Sequence, residues 1–321
     1  MSTESRKTVL VAGAANLLIA VAKFVAGAIS GSVVILAEGA HSVADTANQA
    51  FLLLSLRMGE RPPDEDHPFG YGKERFFWAF IAAIGIFILG AGFSFLQGIT
   101  GLISGGDESS SGYVAAYVVL VVAAVAEGIA WIRAYRQSRA EAREQDMPVG
   151  EFVRVSKDPT VKTVLLEDSG ALIGIVIAFL GIGLAQLTGV HAFDPIASIL
   201  IGVLLTLIAI RLGRNTKALL LGEAARPEER EAIRDAIAGH DGIDGVMELL
   251  TMAVGPDSLL VAARVDLADG MSPDDVERLA DDVERRVRAA VPSVKFFFLD
   301  PTPPRGGDRA LSAHQGVRKA S

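Results

Sequence analysis

Long runs of apolar residues dominate the first two thirds of the chain. Six of these runs are each close to the ~20 residues that a helix needs to cross a bilayer. They cover 8–30, 33–56, 76–101, 113–133, 161–187 and 193–212. The first run lacks the small-residue cleavage pattern of a signal peptide and is therefore counted as a span. The pattern predicts an α-helical membrane protein with six transmembrane helices.

Charges between the runs predict how these helices are oriented. Lys and Arg cluster in the connections 57–75 and 133–162, whereas 30–32, 102–112 and 188–192 contain neither residue type. In membrane proteins the cytoplasmic loops carry the excess of Lys and Arg. Both the N and the C terminus are therefore predicted to be cytoplasmic.

The hydropathy pattern changes near residue 215. Helix-like and strand-like patterns then follow in the order αββαβ, with elements predicted at 227–239, 246–254, 258–266, from 272 onward and at 294–298. Gly255-Pro256-Asp257 is typical of a turn between hairpin strands. We expect a small α+β domain of the ferredoxin-like type, with its helices on one face of an antiparallel sheet. The predicted domains are 1–214 in the membrane, 215–304 in the cytoplasm and a disordered tail, 305–321.

Composition narrows the possible function classes. Hydrophobic residues make up 50% of the chain and the mean hydropathy is +0.39, which is typical of a membrane-embedded protein. The net charge of −8 and the pI near 5.2 argue against nucleic-acid binding. The chain has no cysteine, so disulfide bonds and thiolate metal ligands are excluded. No phosphate-binding glycine loop or nucleophile motif is present, so neither an enzyme nor a prosthetic cofactor is predicted.

Ionisable residues inside two of the predicted spans point to a functional site. Glu38, His41 and Asp45 have i, i+3, i+7 spacing, which puts them on one face of the second span. Glu167 and Asp168 lie deep in the fifth span. A charge at the centre of a span costs roughly 2.5–3.5 kcal/mol on insertion scales, and such residues usually mark ion or proton pathways. They either pair as structural glue, or His41, Asp45 and Asp168 form an N/O cage suited to Zn²⁺ or another divalent first-row ion.

Four segments resemble the cation diffusion facilitators, a family of divalent-metal/proton antiporters. They read SGSVVILAEGAHSVAD in the second span, HPFGYGKER in the following loop, EDSGALIG in the fifth span and FDPIASILIG in the sixth. The resemblance runs from about residue 8 to Pro301 and includes the order of six spans followed by an αββαβ domain. It implies export of a divalent metal cation from the cytoplasm in exchange for protons. Zn²⁺ is the first choice of metal, with Mn²⁺, Fe²⁺ or Co²⁺ as alternatives.

The resemblance also implies a transport site between the second and fifth spans. The two pairs of ligands that the family uses fall on His41 with Asp45 and on Val164 with Asp168. Valine cannot bind metal, so Glu167, about 60° round the helix from position 164, or a water molecule is expected to be the fourth ligand. One imidazole with two or three carboxylates is a harder ligand set than two imidazoles with two carboxylates. It should therefore discriminate less against Mn²⁺, Fe²⁺ and Co²⁺.

The cytoplasmic accessory metal sites of the family are expected to be mostly lost. In the loop after the second span, Asp64 and His67 remain as possible ligands, whereas Tyr71 stands at a histidine position. In the C-terminal domain only Asp300 can coordinate. The other ligand positions there hold Met247, Ala263 and Phe298. We therefore expect this domain to form a homodimer without the binuclear metal sensor of the family.

Four further polar residues are open to interpretation. Glu38 either orients His41 by accepting a hydrogen bond or belongs to the outward exit. Glu127 in the fourth span either relays protons or faces the cytoplasmic end. Lys23 is interpreted as a packing or snorkelling group, and Asp194 as part of a solvated turn.

The expected partners are the metal, protons, membrane lipid and a second copy of the chain, in a bacterial inner membrane. Two other functions remain open. A proton-coupled carrier of an organic cation would favour an aromatic-lined cavity, yet aromatic residues are only 7% of the chain. A non-transporting regulatory or structural subunit would explain Val164 at a ligand position.

Overall fold

The computed structural model describes residues 3–104, 113–144, 146–155 and 159–302, with backbone alone for 3–15, 154–155 and 159–163. Contacts between Cα atoms divide the chain into two units. The first contains Met1–Pro62 and Glu74–Lys217, and the second contains Pro63–Lys73 and Ala218–Ser321. The predicted tail, 305–321, lies outside the described residues.

The first unit consists of helices. They are α1 (Thr3–Ser30), α2 (Val33–Gly59), α3 (Glu74–Gly85), α4 (Phe93–Ser104), α5 (Tyr113–Glu144), α6 (Val149–Val155), α7 (Pro159–Thr188) and α8 (Phe193–Leu221). A π-helical segment, Ile86–Gly92, joins α3 to α4, and the three form one continuous helix, Glu74–Ser104. Each predicted apolar run coincides with one long helix. Most of these helices are longer than the runs, because the helical backbone continues into polar residues at the ends.

In the part of the chain that the structure describes, four helices are long and apolar enough to cross a membrane. They are Glu74–Ser104, Tyr113–Glu144, Val164–Thr188 and Phe193–Leu221. The part of α1 whose side chains are described, Asn16–Ser30, is a shorter apolar helix. Polar side chains on α2 lower its hydropathy although the helix has 27 residues. The presence of six spans therefore stays a prediction.

The α2 helix is central in the first unit, because it contacts α1, α3, α4 and α7. Its apolar contacts belong to a core of buried side chains from most of the long helices, including Ile35, Leu120, Ile182, Ile201 and Leu205. Large apolar side chains on the outside of the helices, such as Leu18, Ile88, Val122 and Leu207, are exposed. Apolar exposure of this kind suits a lipid environment, where buried and lipid-facing surfaces are similarly apolar.

Close packing between α4 and α8 depends on a glycine. A Cβ atom at Gly98 would lie 2.8 Å from the carbonyl oxygen of Pro195 and 3.1 Å from the backbone nitrogen of Ile199. Only a residue without a side chain lets the two backbones approach so closely.

The second unit contains a three-stranded sheet and two helices. The elements are α9 (Pro227–Ala238), β1 (Ile243–Gly255), β2 (Ser258–Leu267), α10 (Pro273–Ala290) and β3 (Val294–Pro301). Ser272 starts α10 because its hydroxyl accepts a hydrogen bond from the Asp275 backbone nitrogen, 3.2 Å away. Ile233, Val283 and Val287 of the helices pack on the buried face of the sheet, which includes Val261.

The sequence predicts an antiparallel sheet, but the observed sheet is mixed. The strand order is β1-β2-β3, with β2 in the centre. β1 and β2 form an antiparallel hairpin, but β2 and β3 are parallel. The prediction was wrong for β3, because α10 carries the chain back along the sheet, and a strand that follows such a crossover pairs in parallel.

Candidate metal centre

His41 and Asp45 of α2 face the interior of the first unit. His41 is 1% exposed and Asp45 is 8% exposed. The His41 Nε2 atom lies 3.6 Å from Asp45 Oδ2, which is an ion-pair distance but too long for a hydrogen bond. Both ring nitrogens of His41 and both carboxylate oxygens of Asp45 are buried without a hydrogen-bond partner. Because buried polar groups are normally satisfied, these four atoms mark a place where another group is expected to bind.

The α7 helix brings a carboxylate to the same region. Glu167 is 7% exposed, and its Oε2 atom accepts a hydrogen bond from Asn48 Nδ2 on α2. The Oε1 atom of Glu167 and the Oδ1 atom of Asn48 have no partner. Asp168 is half-buried. Asp45, Glu167 and Asp168 are near enough to repel one another when they are ionised.

The four predicted ligands do not surround a common point. Across the described residues, no group of three or more His, Asp or Glu side chains is close enough to hold a metal ion. The structure pairs His41 with Asp45 and links Glu167 to α2 through Asn48, while Asp168 stands one residue further along α7. Closure of all four around a cation would therefore require a movement of α7 or of its side chains.

A buried ion pair lies one turn from His41. The Lys23 Nζ atom of α1 is 2.9 Å from Glu38 Oε2 and 2.8 Å from Ser42 Oγ, and both charged side chains have 0% exposure. Of the two interpretations of Lys23, its burial fits a packing group and contradicts snorkelling. Glu38 accepts from Lys23 and does not orient His41, whose ring nitrogens have no partner.

Glu38 also closely approaches α7. A Cβ atom placed on Gly174 would lie 2.5 Å from Glu38 Oε1, so a glycine is needed where the carboxylate passes. The contacts of Lys23, Glu38 and Gly174 thus join α1, α2 and α7 on the side of His41 away from Asn48. Asn48 and Glu167 join α2 to α7 on the opposite side.

Glu127 of α5 is buried, with 6% exposure. Its charge interacts with those of Asp45, Lys23 and His41, so it belongs to the same electrostatic cluster and does not lie free at the end of the helix. One turn further along α5, the indole Nε1 of Trp131 donates to Ser169 Oγ on α7 at 3.0 Å. The hydrogen bond joins α5 to α7 at the residue next to Asp168.

Asp194 is a structural cap and was wrongly interpreted as part of a solvated turn. It is 1% exposed at the start of α8. Its Oδ2 atom accepts hydrogen bonds from the backbone nitrogens of Val33 at 2.8 Å and Val34 at 3.2 Å, and its Oδ1 atom accepts from Ser32 Oγ. A carboxylate that accepts from the free N–H groups of a first turn stabilises that helix end. Asp194 therefore fixes the beginning of α2, the helix that carries His41 and Asp45.

The two loop residues expected as accessory ligands are held within their own loop. Asp64 accepts from the His67 backbone nitrogen at 2.8 Å and from the Tyr71 hydroxyl at 2.6 Å. The Tyr71 hydrogen bond holds the pKa of the Asp64 carboxyl below its usual range. The imidazole Nδ1 of His67 lies 3.5 Å from Asp64 Oδ1. Phe69 of the loop packs edge-to-face on Phe296 of β3, with 5.1 Å between ring centroids.

Asp300 is paired with an arginine. Its Oδ2 atom accepts from Arg264 Nε at 3.1 Å, and Arg264 also lies 3.4 Å from Glu248 Oε2. Ala263, at another ligand position of the family, is buried in the core of the sheet. The contact with Arg264 gives Asp300 a role that needs no metal.

Comparison with known proteins gives the class of the chain. Residues 9–221 match the model of the cation efflux transmembrane domain, and residues 225–298 match that of the cytoplasmic domain of cation efflux proteins. The chain therefore belongs to the cation efflux family, the cation diffusion facilitators, and is an integral membrane protein with a C-terminal cytoplasmic domain. Members of this family are transporters and not enzymes. The resemblance described from the sequence is confirmed.

Three curated relatives illustrate the range of the family. Metal tolerance protein C4 of Arabidopsis thaliana is 33% identical over 262 residues, covering 82% of this chain and 57% of that protein. The human proton-coupled zinc antiporter SLC30A9, mitochondrial, is 31% identical over 261 residues, covering 81% and 45%. The cation-efflux pump FieF of Escherichia coli O127:H6 is 28% identical over 316 residues, with 96% of each chain covered. The chain thus spans about half the length of the first two relatives and nearly all of the third.

Proposed function

We propose that this protein exports a divalent metal cation from the cytoplasm in exchange for protons, with Zn²⁺ as its main substrate. The transport site consists of His41, Asp45, Asp168 and Glu167. Family membership supports metal efflux, and likeness to a proton-coupled zinc antiporter supports both the metal and the coupling. Mn²⁺, Fe²⁺ and Co²⁺ are alternative substrates, because this ligand set contains one imidazole and up to three carboxylates.

The observation that carries the proposal is the set of buried, unpartnered polar atoms on α2. His41 and Asp45 together bury two nitrogens and two oxygens without a hydrogen bond, in the helix at the centre of the first unit. Leaving such groups unsatisfied costs about 1–3 kcal/mol each. A bound cation or proton would satisfy them, so their arrangement is better explained by binding than by packing.

Proton coupling follows from the chemistry of these ligands. A metal binds only when the imidazole is neutral and the carboxylates are ionised, so binding releases protons and protonation releases the metal. Loading from the cytoplasm and protonation from the other side would make an inward proton gradient drive export. Glu127 interacts electrostatically with this cluster, and its proposed role is to relay protons to it.

The surrounding architecture belongs to the same proposal. It comprises six membrane spans, cytoplasmic N and C termini and the domains 1–214 and 215–304. The match of 225–298 to a family domain designated for dimerisation supports a homodimer. Likeness to FieF over nearly the whole chain supports a bacterial inner membrane. Asp64, His67 and Asp300 are proposed to lack a bound metal, since each has a polar partner within its own unit.

One observation favours a different function, that of a non-transporting regulatory subunit. Val164 stands where the family has a ligand, and the described residues contain no ready group of three metal ligands. A subunit that never binds metal would need neither His41 nor Asp45 for its role.

Inside-out membrane vesicles separate the two functions. Vesicles from cells that produce the protein should accumulate Zn²⁺ when a pH gradient, acidic inside, is imposed, and a protonophore should stop the uptake. His41→Ala should abolish accumulation, whereas His240→Ala, which changes a histidine of the second unit, should leave it intact. Equal uptake by His41→Ala and the unmodified protein would contradict the proposed site.

A further inference from the structure

Asn48 is the residue through which α2 holds the Glu167 carboxylate. Its side-chain nitrogen donates to Glu167 Oε2, and Asn48 itself is 2% exposed. The amide presents its N–H side to the carboxyl oxygen, so the amide oxygen faces elsewhere. That oxygen, Oδ1, is buried and has no partner.

The position of Asn48 on α2 matches that of the proposed ligands. Residues 41, 45 and 48 fall within an arc of about 60° on an α-helix, so Asn48 continues the stripe of His41 and Asp45 by one turn. At Asn48 the stripe faces α7, since the Asn48 amide donates a hydrogen bond to Glu167. Asn48 therefore meets α7 at Glu167, three residues beyond the valine at the family ligand position.

An amide is well suited to hold this carboxylate. Glu167 is already repelled by the charges of Asp45 and Asp168, so an acidic residue at position 48 would push it away. A lysine there would hold Glu167 but would place a fixed positive charge beside a cation path. A neutral N–H donor binds a carboxylate with a charge-assisted hydrogen bond and leaves the charge of the site unchanged. The second oxygen of Glu167, Oε1, stays free.

We infer that Asn48 is a positioning residue for metal binding: its amide draws Glu167 toward the His41–Asp45 stripe and so replaces the ligand lost at Val164. The unpartnered Oδ1 atom adds a neutral oxygen donor beside Glu167. Both effects increase the number of oxygen ligands near the cation. Asn48 thereby broadens the selectivity of the site toward harder ions such as Mn²⁺. This inference rests on the proposed function.

Transport kinetics of the purified protein in proteoliposomes test the inference. Asn48→Leu keeps the size of the side chain and removes the amide, and Asn48→Ala, made in parallel, removes it without adding volume. Mutation of a residue that hydrogen-bonds to a metal ligand typically lowers metal affinity by roughly 10–100-fold. We expect the KM for Zn²⁺ to rise within that range in both variants, with a smaller change in the maximal rate and a still larger rise in KM for Mn²⁺. Gln137→Leu, which removes an exposed amide of α5, is the control and should keep the KM of the unmodified protein.

A double-mutant cycle shows whether Asn48 acts through Glu167. If it does, Asn48→Leu should raise the KM by a smaller factor in the Glu167→Gln variant than in the unmodified protein. Independent, multiplying effects would overturn the inference, as would an unchanged KM in Asn48→Leu and Asn48→Ala. Failure of the unmodified protein to transport any divalent metal would overturn the proposed function itself, together with the inference. A lower unfolding temperature with an unchanged ratio of KM values for Zn²⁺ and Mn²⁺ would show a role limited to helix packing and would also overturn the inference.

Discussion

Removal of the Lys23 charge should destabilise the membrane-embedded unit strongly. In Lys23→Met an unbranched apolar side chain replaces the lysine stem, but Glu38 loses its ammonium partner at 2.9 Å while its other oxygen already has no hydrogen bond. Both side chains are fully buried, so water cannot replace the contact. Removing one partner of a buried pair costs about 3–5 kcal/mol. At roughly 2–4 °C per kcal/mol, this corresponds to a fall of roughly 6–20 °C in the unfolding temperature.

Thermal unfolding of the purified protein in detergent measures this effect. The matched control is Lys217→Met, which removes an exposed lysine near the end of α8 and should change the unfolding temperature by about 1 °C or less. The double variant Lys23→Met/Glu38→Gln removes both charges and should recover much of the loss, because a neutral pair needs no counter-charge. If Lys23→Met unfolds at the same temperature as Lys217→Met, the buried ion pair does not exist in the protein.

Three further predictions concern helix packing, helix capping and the cytoplasmic domain. Gly98→Ala should lower the stability by about 1–3 kcal/mol through overpacking, whereas Gly128→Ala, where nothing lies within 4 Å of the new methyl group, should not; equal unfolding temperatures would refute the close contact. Asp194→Ala should cost about 0.5–2 kcal/mol as a lost cap, seen in the same unfolding assay, and an unchanged midpoint would mean that the cap is not formed. Asp300→Ala should leave metal transport and the number of bound metal ions unchanged, because Arg264 already pairs with Asp300; a lost metal equivalent in calorimetric titration would contradict this assignment.

The stripe on α2 could be predicted because it depends on one helix alone. Helical spacing gives the common face of His41 and Asp45 without knowledge of any neighbour. Asn48 lies on the same stripe and could have been found by the same spacing, but a search limited to ionisable residues passes over a neutral amide.

Contacts between distant segments could not be predicted in this way. Lys23 and Glu38 belong to different helices, and only their packing shows that the lysine points inward to an acid. Asp194 is in the first turn of its own helix, α8, yet it caps another helix that begins 161 residues earlier. The direction of β3 was within reach, since a helix between two neighbouring strands of a sheet favours a parallel pair.

The central claim is that metal and protons move in opposite directions through the site on α2 and α7. Purified protein in proteoliposomes that contain a metal-sensitive and a pH-sensitive dye tests it directly. Zn²⁺, Mn²⁺, Fe²⁺, Co²⁺ and Cd²⁺ are added in parallel for the unmodified protein and for Asp45→Ala. Metal entry accompanied by proton exit, with both lost in Asp45→Ala, is the predicted result. Metal entry without proton movement, or equal flux in Asp45→Ala, would contradict the account.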